Sequence, residues 1–263
     1  MSVTGDTAAI RRLWPSGVGG SPDRDVSDDD LVADLHTDEP VLRVNFVASV
    51  DGAVTHDGRS GGLSGAADKR YFELLRRVCD VVLVGAGTVR DEGYGPMRVS
   101  AESARWRLAN GLPEHPVFAI VSGSLALDPG SDIFTDAPVR PIVVTSTRAP
   151  ADLLARFEKV ADVVVAGSNW IDVPEAVAAL HTRGLRNVLC EGGPTLFGSL
   201  LAANAVDELF LTVSPTLEAG DAWRITAAQL AEPFRLDLTS VLASGSTLLL
   251  RYAASSASAS RIV

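Results

Sequence analysis

The chain has 263 residues, 46% of them hydrophobic, and a formal net charge of −10 at pH 7. This length and apolar content suffice for a full hydrophobic core and favour one large α/β domain with tails over two domains. The acidic balance, with a pI of about 4.8, argues against nucleic acid and anionic membrane surfaces as partners, since both require a basic face. An anionic small molecule remains possible, because a few arginines and backbone N–H groups can bind one.

Cysteine and histidine usage narrows the class of protein further. Cys79 and Cys190 lie among apolar residues and are predicted to be reduced core side chains, as expected of a cytoplasmic protein. The four histidines show no metal-ligand spacing with each other or with cysteine, so no metal is expected. The N-terminus has no apolar h-region, and no apolar run is long enough to span a bilayer.

The chain changes character near residue 40. Residues 1–40 are rich in Gly, Ser, Asp and Pro and are interpreted as a partly flexible extension with one helix, capped by Ser27. Residues 41–50 (VLRVNFVASV) are apolar and β-branched and end at a turn, which predicts the central first strand. At the other end, the small polar residues 255–263 predict a disordered tail.

A long, polar, glycine-rich loop (GAVTHDGRSGGLSG) follows the first strand. Such loops in compact domains are usually functional or disordered, and this one is interpreted as a mobile active-site loop. Ser64 is a candidate cap for the next predicted helix, AADKRYFELLRRV, which has Asp68 in its first turn. Taken alone, Asp68 is best explained as an acid that complements the helix dipole.

Two apolar strands run through glycines into helices, in VVLVGAGTVRDE and in NVLCEGGPTLFG. In the second, Gly192 and Gly193 allow the backbone to approach a ligand, Pro194 suits a first helical turn, and the free N–H groups there favour an anion. Turn geometry explains this motif about as well as a phosphate site does, but two such junctions on one sheet favour phosphate binding. Neither is a GxGxxG fingerprint, and no GxxxxGK[ST] P-loop occurs, which disfavours an ordinary dehydrogenase or nucleotide hydrolase.

The remaining segments complete an α/β pattern. PVFAIVSGSL, PIVVTST and ADVVVAG are predicted to be buried strands. A helix is predicted over residues 173–182, and VDELFLTVSPTL and STLLLRYAA are predicted to be neighbouring antiparallel strands at one side of the sheet.

Four motifs together carry a family resemblance: NFVASVDG, the SGGLSG loop, VVLVGAGTVRDE and EGGPTLFGSLLAANAVDELFLTVSP. In order and spacing they resemble the reductase domain of the riboflavin-pathway deaminase/reductases. The resemblance implies a dihydrofolate-reductase-like, three-layer α/β/α fold with a mixed, mostly parallel central sheet, in a reductase domain of residues 41–254. The deaminase motifs HxE and PCxxC are absent, so a stand-alone reductase is expected.

The resemblance also implies an activity. The expected protein is an NADPH-dependent oxidoreductase that reduces the ribosyl group of 5-amino-6-(5-phosphoribosylamino)uracil, a phosphorylated pyrimidine, to ribityl. A homodimer is expected as well.

Site residues follow from the same resemblance, position by position. On the cofactor side they are Ala48, Gly62, Thr88, Glu92, Ser122 or Ser124, Gly192, Gly193, Pro194, Thr195, Leu196 and Phe197. On the substrate side they are Ser60, Arg76, Arg98 and Glu191. The two arginines are expected to hold a phosphate, and Glu191 to accept hydrogen bonds from ring N–H or hydroxyl groups.

Two residues depart from the family pattern. Gly62 stands where the family usually has a Trp beside the nicotinamide, so that wall is missing or supplied from elsewhere. Asp68 stands where dihydrofolate reductases carry their pterin-binding acid. Within this fold it is predicted to be the catalytic acid, binding a 2-aminopyrimidinone edge and helping to protonate a ring nitrogen. Dihydrofolate or dihydropteridine reduction, and an NADPH-binding regulator without turnover, are therefore the alternatives.

Overall fold

The computed structural model describes residues 9–15, 25–227 and 229–255. Within these ranges the strands form one ten-stranded sheet. The strands are β1 (Arg11–Trp14), β2 (Val41–Ser49), β3 (Val81–Gly85), β4 (Val117–Val121), β5 (Ile142–Thr145), β6 (Asp162–Val165), β7 (Asn187–Cys190), β8 (Glu208–Ser214), β9 (Leu236–Ser244) and β10 (Thr247–Ala254). The helices are α1 (Asp28–Leu35), α2 (Ala66–Val78), α3 (Ala86–Glu92), α4 (Ala101–Ala109), α5 (Asp132–Thr135), α6 (Ala151–Phe157), α7 (Val173–Thr182) and α8 (Pro194–Ala202), with a 3-10 turn over Ser60–Gly62.

The sheet is mixed and mostly parallel, as the resemblance implies. Its strand order is β1-β9-β10-β8-β2-β7-β3-β4-β5-β6. All neighbours from β8 to β6 are parallel, while β1, β9, β10 and β8 pair antiparallel. Strand β2 lies in the interior of the sheet, as predicted. The carboxyl ends of seven parallel strands therefore meet at one edge, where open α/β sheets bind ligands.

Two hydrophobic layers cover the faces of the sheet. In β3, Val82 and Val84 belong to one buried cluster, together with residues of α1, α2, α3, α5 and α6. Val81 and Leu83 alternate with them and belong to the other cluster, with residues of α7 and α8. The central strands are apolar on both faces because helices cover both. This confirms the three-layer α/β/α architecture.

Four local features differ from the sequence predictions. Strand β6, predicted to be buried, lies at the edge of the sheet, and only Val164 of its four residues is buried. The sequence patterns gave no indication of β1 or β9: β1 is only four residues long with two arginines, and β9 is only partly buried. Ser64 is not the cap of α2, because the N-cap is Gly65. The Ser64 hydroxyl instead donates a hydrogen bond to the carboxylate of Asp68.

The described part of the N-terminal segment packs on the domain. Strand β1 pairs with β9 at the edge of the sheet. Helix α1 begins after Ser27, as predicted, and Ser27 and Asp30 form a capping box. Leu31 and Leu35 are fully buried in the same cluster as α2. The predicted C-terminal tail comprises residues 255–263, and all of it after Ser255 lies outside the described residues. Among the helices of these ranges, none is both long enough and apolar enough to cross a membrane.

Candidate active site

A cleft of about 1490 Å³ runs along the carboxyl edge of the parallel strands. Six of these strands, or the loops after them, contribute to the lining: Phe46 from β2, Glu191 after β7, Gly85 from β3, Ser122 after β4, Ser146 after β5 and Asn169 after β6. Helices α2, α3 and α8, the loop after β2 and residues 94–98 also contribute to the walls. The cleft thus brings residues that are far apart in the sequence to one long site.

The two glycine junctions lie side by side in this cleft. The N–H of Gly85 donates to the carbonyl of Gly192 at 2.8 Å, and the Gly192–Gly193 peptide bond is cis. A Cβ on Gly193 would lie 2.4 Å from the hydroxyl oxygen of Thr88, and one on Gly192, where φ is +89°, would lie 3.0 Å from the ring of Phe46. Position 192 therefore favours glycine by its backbone conformation, whereas a side chain at Gly193 would displace the Thr88 hydroxyl. The hydrogen bond between Gly85 and Gly192 joins the two junctions into one structural unit.

Helix α8 begins directly at this unit, with Pro194 in its first turn and Gly193 as its N-cap. A helix leaves the N–H groups of its first turn without intrahelical acceptors, and the dipole makes this end positive. Because the backbone around Gly193 carries no Cβ, an anionic group can come close to these N–H groups. The arrangement fits a pyrophosphate and requires no basic side chain at this point.

A largely buried ion pair lines the cleft. Nε and Nη2 of Arg76 donate to the two carboxylate oxygens of Glu191, each at 2.6 Å, and the Tyr94 hydroxyl donates to Oε2 of Glu191 at 2.8 Å. The guanidinium also lies 4.3 Å from the ring centroid of Phe72. Burial and the carboxylate of Glu191 together raise the pKa of Tyr94 well above its usual value, so the phenol stays protonated and remains a donor.

Asp68 is a second buried acid in the lining of the cleft. It lies in the first turn of α2 and is only 6% exposed. Burial raises the pKa of its carboxyl group, against the opposing effects of hydrogen bonds from Ser64 and from Thr212 on β8 and of the charge of Lys69. An acid whose charged form is penalised by burial and that faces a cleft is a candidate for proton transfer or for pairing with ligand N–H groups.

The loop between β2 and α2 forms one wall and is fixed at several points. The N–H of Ser60 donates to Oε1 of Glu92 at 2.8 Å. Nδ1 of His56 lies 2.9 Å from Oε2 of Glu218, and the N–H of Val54 donates to the carbonyl of Trp223 at 3.0 Å. The loop that was interpreted as mobile thus bridges α3 and the segment between β8 and β9.

Most of the predicted site residues meet in this one cleft. Those that line it are Ser60, Asp68, Arg76, Thr88, Glu92, Arg98, Ser122, Ser124, Glu191, Gly193, Pro194, Thr195 and Leu196. Ala48, Gly62, Gly192 and Phe197 do not line it. Ala48 and Phe197 are buried in the core. A Cβ on Gly62 would meet the side chain of His56, and one on Gly192 would meet the ring of Phe46. Arg98 is half-exposed and forms an ion pair with Asp136 at 3.2 Å.

Comparison of the sequence with known protein families identifies the family of this chain. Residues 40–250 match the model of the RibD C-terminal domain. The chain belongs to the RibD C-terminal domain family. It is 31% identical over 182 residues to the 2,5-diamino-6-ribosylamino-4(3H)-pyrimidinone 5′-phosphate reductase of Archaeoglobus fulgidus, covering 69% of this chain and 83% of that protein. It is 29% identical over 221 residues to the enzyme of the same name from Methanothermobacter thermautotrophicus, covering 81% and 97% of the two chains.

A solved structure of similar shape supports the same assignment to the RibD C-terminal domain family. The pyrimidine reductase-like protein of Corynebacterium diphtheriae superposes with a TM-score of 0.78 at 27% identity, over 87% of this chain and 99% of that one.

Several lining residues of this RibD-type domain were not predicted from the sequence. They are Tyr94, Ser146, Arg148, Asn169, Trp170 and Trp223. Trp223 is 65% exposed and stands beside the loop that carries Gly62, so an aromatic wall comes from a different segment. The available signal was position, because most of these residues lie in loops after strands whose carboxyl ends were predicted to face a ligand.

Proposed function

We propose that this chain reduces the ribosyl group of a ribosylaminopyrimidine 5′-phosphate to ribityl with NADPH. The observation that carries the proposal is the single cleft in which a Cβ-free anion site adjoins the Arg76–Glu191 pair and the buried Asp68. Membership of the RibD C-terminal domain family and the names of the archaeal relatives support the same reaction.

The residues at the glycine junctions fit the cofactor. Gly193 and Thr195 would hold the pyrophosphate through their backbone N–H groups, with Pro194, which has no N–H, between them and Thr88 beside them. When bound, NADPH supplies the hydride from C4 of its nicotinamide. The chain then has to hold C4 of that ring close to the ribosyl carbon in a reactive orientation, and to exclude water.

The Arg76–Glu191 pair retains capacity for a substrate. Two of the five guanidinium N–H groups are used by Glu191, and the remaining donors can hold a phosphate or hydroxyl. Glu191 has about four acceptor sites and uses three of them for Arg76 and Tyr94. One acceptor site therefore remains for a substrate hydroxyl or ring N–H. Ser60 and Arg98, also in the lining, complete the proposed substrate side.

Asp68 provides a basis for recognising the pyrimidine. An ionised carboxylate can accept both the ring N–H and the amino N–H of a 2-amino-4(3H)-pyrimidinone edge, whereas uracil places a carbonyl oxygen where the amino group would be. The archaeal relatives are named for the 2,5-diamino base. We therefore expect the diamino substrate to be preferred over 5-amino-6-(5-phosphoribosylamino)uracil, which carries the same ribosyl group.

The proposed assembly is a cytoplasmic homodimer. Leu248 and Leu250 of β10 face away from the buried Leu249 and pair with Val213 and Leu211 of β8. With Leu238 of β9, 39% exposed, they leave an apolar sheet face partly uncovered, which a second copy can bury. Free, fully buried Cys79 and Cys190 fit a reducing compartment.

Turnover assays test the proposal directly. The purified chain is mixed with NADPH and, in separate reactions, with each pyrimidine phosphate and with dihydrofolate, and the fall in nicotinamide absorbance is followed. Oxidation with either pyrimidine phosphate, and none with dihydrofolate, is the expected result. Reduction of dihydrofolate instead would replace the proposal by the dihydrofolate reductase alternative, and binding of NADPH without any turnover would replace it by the regulator.

A further inference from the structure

Two segments that are far apart in the sequence form one wall of the cleft. Val54, in the loop between β2 and α2, lines the cleft, and so does Trp223, between β8 and β9. The N–H of Val54 donates to the carbonyl of Trp223 at 3.0 Å, and the N–H of Ala227 donates to the carbonyl of Pro194 at 3.2 Å. The Trp223 segment, residues 216–227, therefore runs from this loop to the first turn of α8.

His56 and Glu218 join the loop to the Trp223 segment through their side chains. Nδ1 of His56 lies 2.9 Å from Oε2 of Glu218, and the two side chains are 51% and 18% exposed. The His56 side chain rests on Gly62, where an added Cβ would lie 2.9 Å from the Cβ of His56. Neither His56 nor Glu218 lines the cleft, so the pair can act on a ligand only by positioning the wall.

The backbone on both sides of this contact is fixed by hydrogen bonds. The N–H of His56 donates to the carbonyl of Arg59 at 2.9 Å, and the N–H of Arg59 donates back to the carbonyl of His56 at 3.1 Å, which closes a tight hairpin. The carboxylate of Asp51 accepts hydrogen bonds from the N–H groups of Glu218 and Ala219, at 3.2 and 2.7 Å. Forming the contact between His56 and Glu218 therefore orders little more than the two side chains.

The strength of this contact depends on the proton of His56. The charged groups that face the imidazole are Glu218, from the Trp223 segment, and Asp57, from its own hairpin, whose carboxylate lies 3.6 Å from Nε2. The hydrogen bond with Glu218 and the charges of Glu218 and Asp57 raise the pKa of His56 above its usual value, against the opposing effect of burial. Hydrogen bonds, the strongest from Ser49, lower the pKa of Asp51 to about 2, so Asp51 stays ionised where histidines titrate. The attraction between His56 and Glu218 is therefore greatest at low pH and is lost as the pH rises through the pKa of His56.

We propose that His56 and Glu218 form a pH-sensitive latch, which holds the Trp223 segment over the nicotinamide half of the cofactor and slows its release. This inference rests on the proposed function, which places the pyrophosphate at the first turn of α8. The Trp223 segment reaches that turn through Ala227, and its indole, 65% exposed, lies in the lining of the cleft. A nicotinamide that extends from this turn toward the loop after β2 runs along the segment, and the indole can pack against it. Opening of such a wall is a step that can limit turnover.

The rate of NADPH release tests the latch. NADPH bound to the purified chain is displaced by excess NADP⁺ in a stopped-flow instrument, and the fluorescence of the nicotinamide is followed. His56→Gln keeps a neutral hydrogen-bond donor and removes the charge. We expect it to release NADPH about two- to fivefold faster than the wild type at about pH 6, and at the same rate at about pH 9. The ratio of the two rates at each pH cancels the titration of the cofactor and of other groups in the cleft.

Three further variants locate the effect. Glu218→Gln should match His56→Gln, and the double variant should add nothing, because both changes remove the same contact. Trp223→Ala should release NADPH about two- to tenfold faster at both pH values, since it removes the packing itself. His36→Gln is the matched control, because His36 is exposed and lies 3.6 Å from Asp38. It should release NADPH like the wild type at each pH.

The opposite results overturn the inference. Release from His56→Gln at the wild-type rate at both pH values, an acceleration that is equal at both, or the same change in His36→Gln would each refute the latch. Unchanged release from Trp223→Ala would remove the Trp223 segment from the cofactor, and failure of the wild type to bind NADPH also overturns the inference. Because release of the cofactor needs no turnover, a chain with the pH-dependent latch that reduces no pyrimidine would refute only the proposed function.

Discussion

Arg76 and Glu191, which lie 115 residues apart in the sequence, form a bidentate ion pair in the lining of the cleft, with two N–O distances of 2.6 Å. The Glu191 side chain is 2% exposed and that of Arg76 is 17% exposed. Each residue was expected to contact the substrate independently, whereas in the structure their side chains bind each other. A change in either one therefore alters both stability and binding.

Arg76→Met is expected to lower the free energy of unfolding by about 3–5 kcal/mol, because it leaves the Glu191 carboxylate buried and unpaired. The double variant Arg76→Met/Glu191→Gln carries no buried charge at this point and should regain much of that loss. Urea denaturation of both variants measures the difference. Equal stabilities of the single and double variants would contradict the account of a coupled pair.

The same variants test substrate binding. If the free guanidinium N–H groups of Arg76 hold the substrate, KM for the pyrimidine phosphate should rise about ten- to a hundredfold in both variants while the affinity for NADPH stays unchanged. Arg105→Ala, on the exposed face of α4, should change neither quantity. An unaltered KM in the double variant would limit Arg76 to a structural role.

Gly193 and Thr88 test the position of the pyrophosphate. A Cβ at Gly193 would lie 2.4 Å from Oγ1 of Thr88 but 3.8 Å from its Cβ. Gly193→Ala should therefore be strained alone and relieved in the Thr88→Ala background. The double variant should therefore be as stable as Thr88→Ala. If the methyl group also blocks the cofactor, the double variant should bind NADPH at least about tenfold more weakly than Thr88→Ala does. Equal NADPH affinity of the double variant and Thr88→Ala would place the pyrophosphate elsewhere.

Asp68 makes stability depend on pH. Burial raises the pKa of its carboxyl group in the folded chain, so the ionised acid weakens the folded state at pH values above that pKa. This loss disappears as the pH falls below the ordinary pKa of an aspartate. Asp68→Asn should therefore raise the melting temperature at neutral pH, and its advantage over the wild type should shrink as the medium becomes acidic.

A control acid distinguishes this effect from a helix-dipole role. Asp29 is exposed in the first turn of α1, and Asp29→Asn should lose about 0.3–1 kcal/mol of stability. A similar loss in Asp68→Asn, with full turnover, would remove Asp68 from the site. If Asp68 transfers a proton, kcat should fall by roughly 10²–10⁴-fold, whereas a role in reading the base alone should appear mainly in KM.

The apolar face of β8, β9 and β10 tests the dimer. Leu248 is 37% exposed on that face, and Leu248→Arg would place a charge in the proposed interface. Light scattering of the variant should give the mass of a monomer, while the wild type and Leu108→Arg, at an exposed position on α4, give that of a dimer. A monomeric wild type would contradict the assembly.

The sequence predicted the parts of the fold that depend on local pattern. Continuous apolar runs identified the parallel strands, although β6 is a partly exposed edge strand. The glycines of two strand-helix junctions identified the part of the cleft proposed to bind phosphate. It did not predict β9, whose alternation is weak because one face is only partly covered. The pairing of Arg76 with Glu191, and the hydrogen bond from Tyr94, depend on contacts between residues far apart in the chain. The same is true of Trp223, which reaches the cleft from the segment between β8 and β9.

Transfer of an isotopic label distinguishes reduction of the ribosyl group from binding of the cofactor alone. The purified chain is incubated with NADPH that carries deuterium at both C4 positions and with 2,5-diamino-6-ribosylamino-4(3H)-pyrimidinone 5′-phosphate, and the product is analysed by mass spectrometry and NMR. The account predicts a ribityl product with one deuterium at C1′, formed in step with oxidation of the cofactor. NADPH binding without transfer of deuterium to that carbon would contradict it.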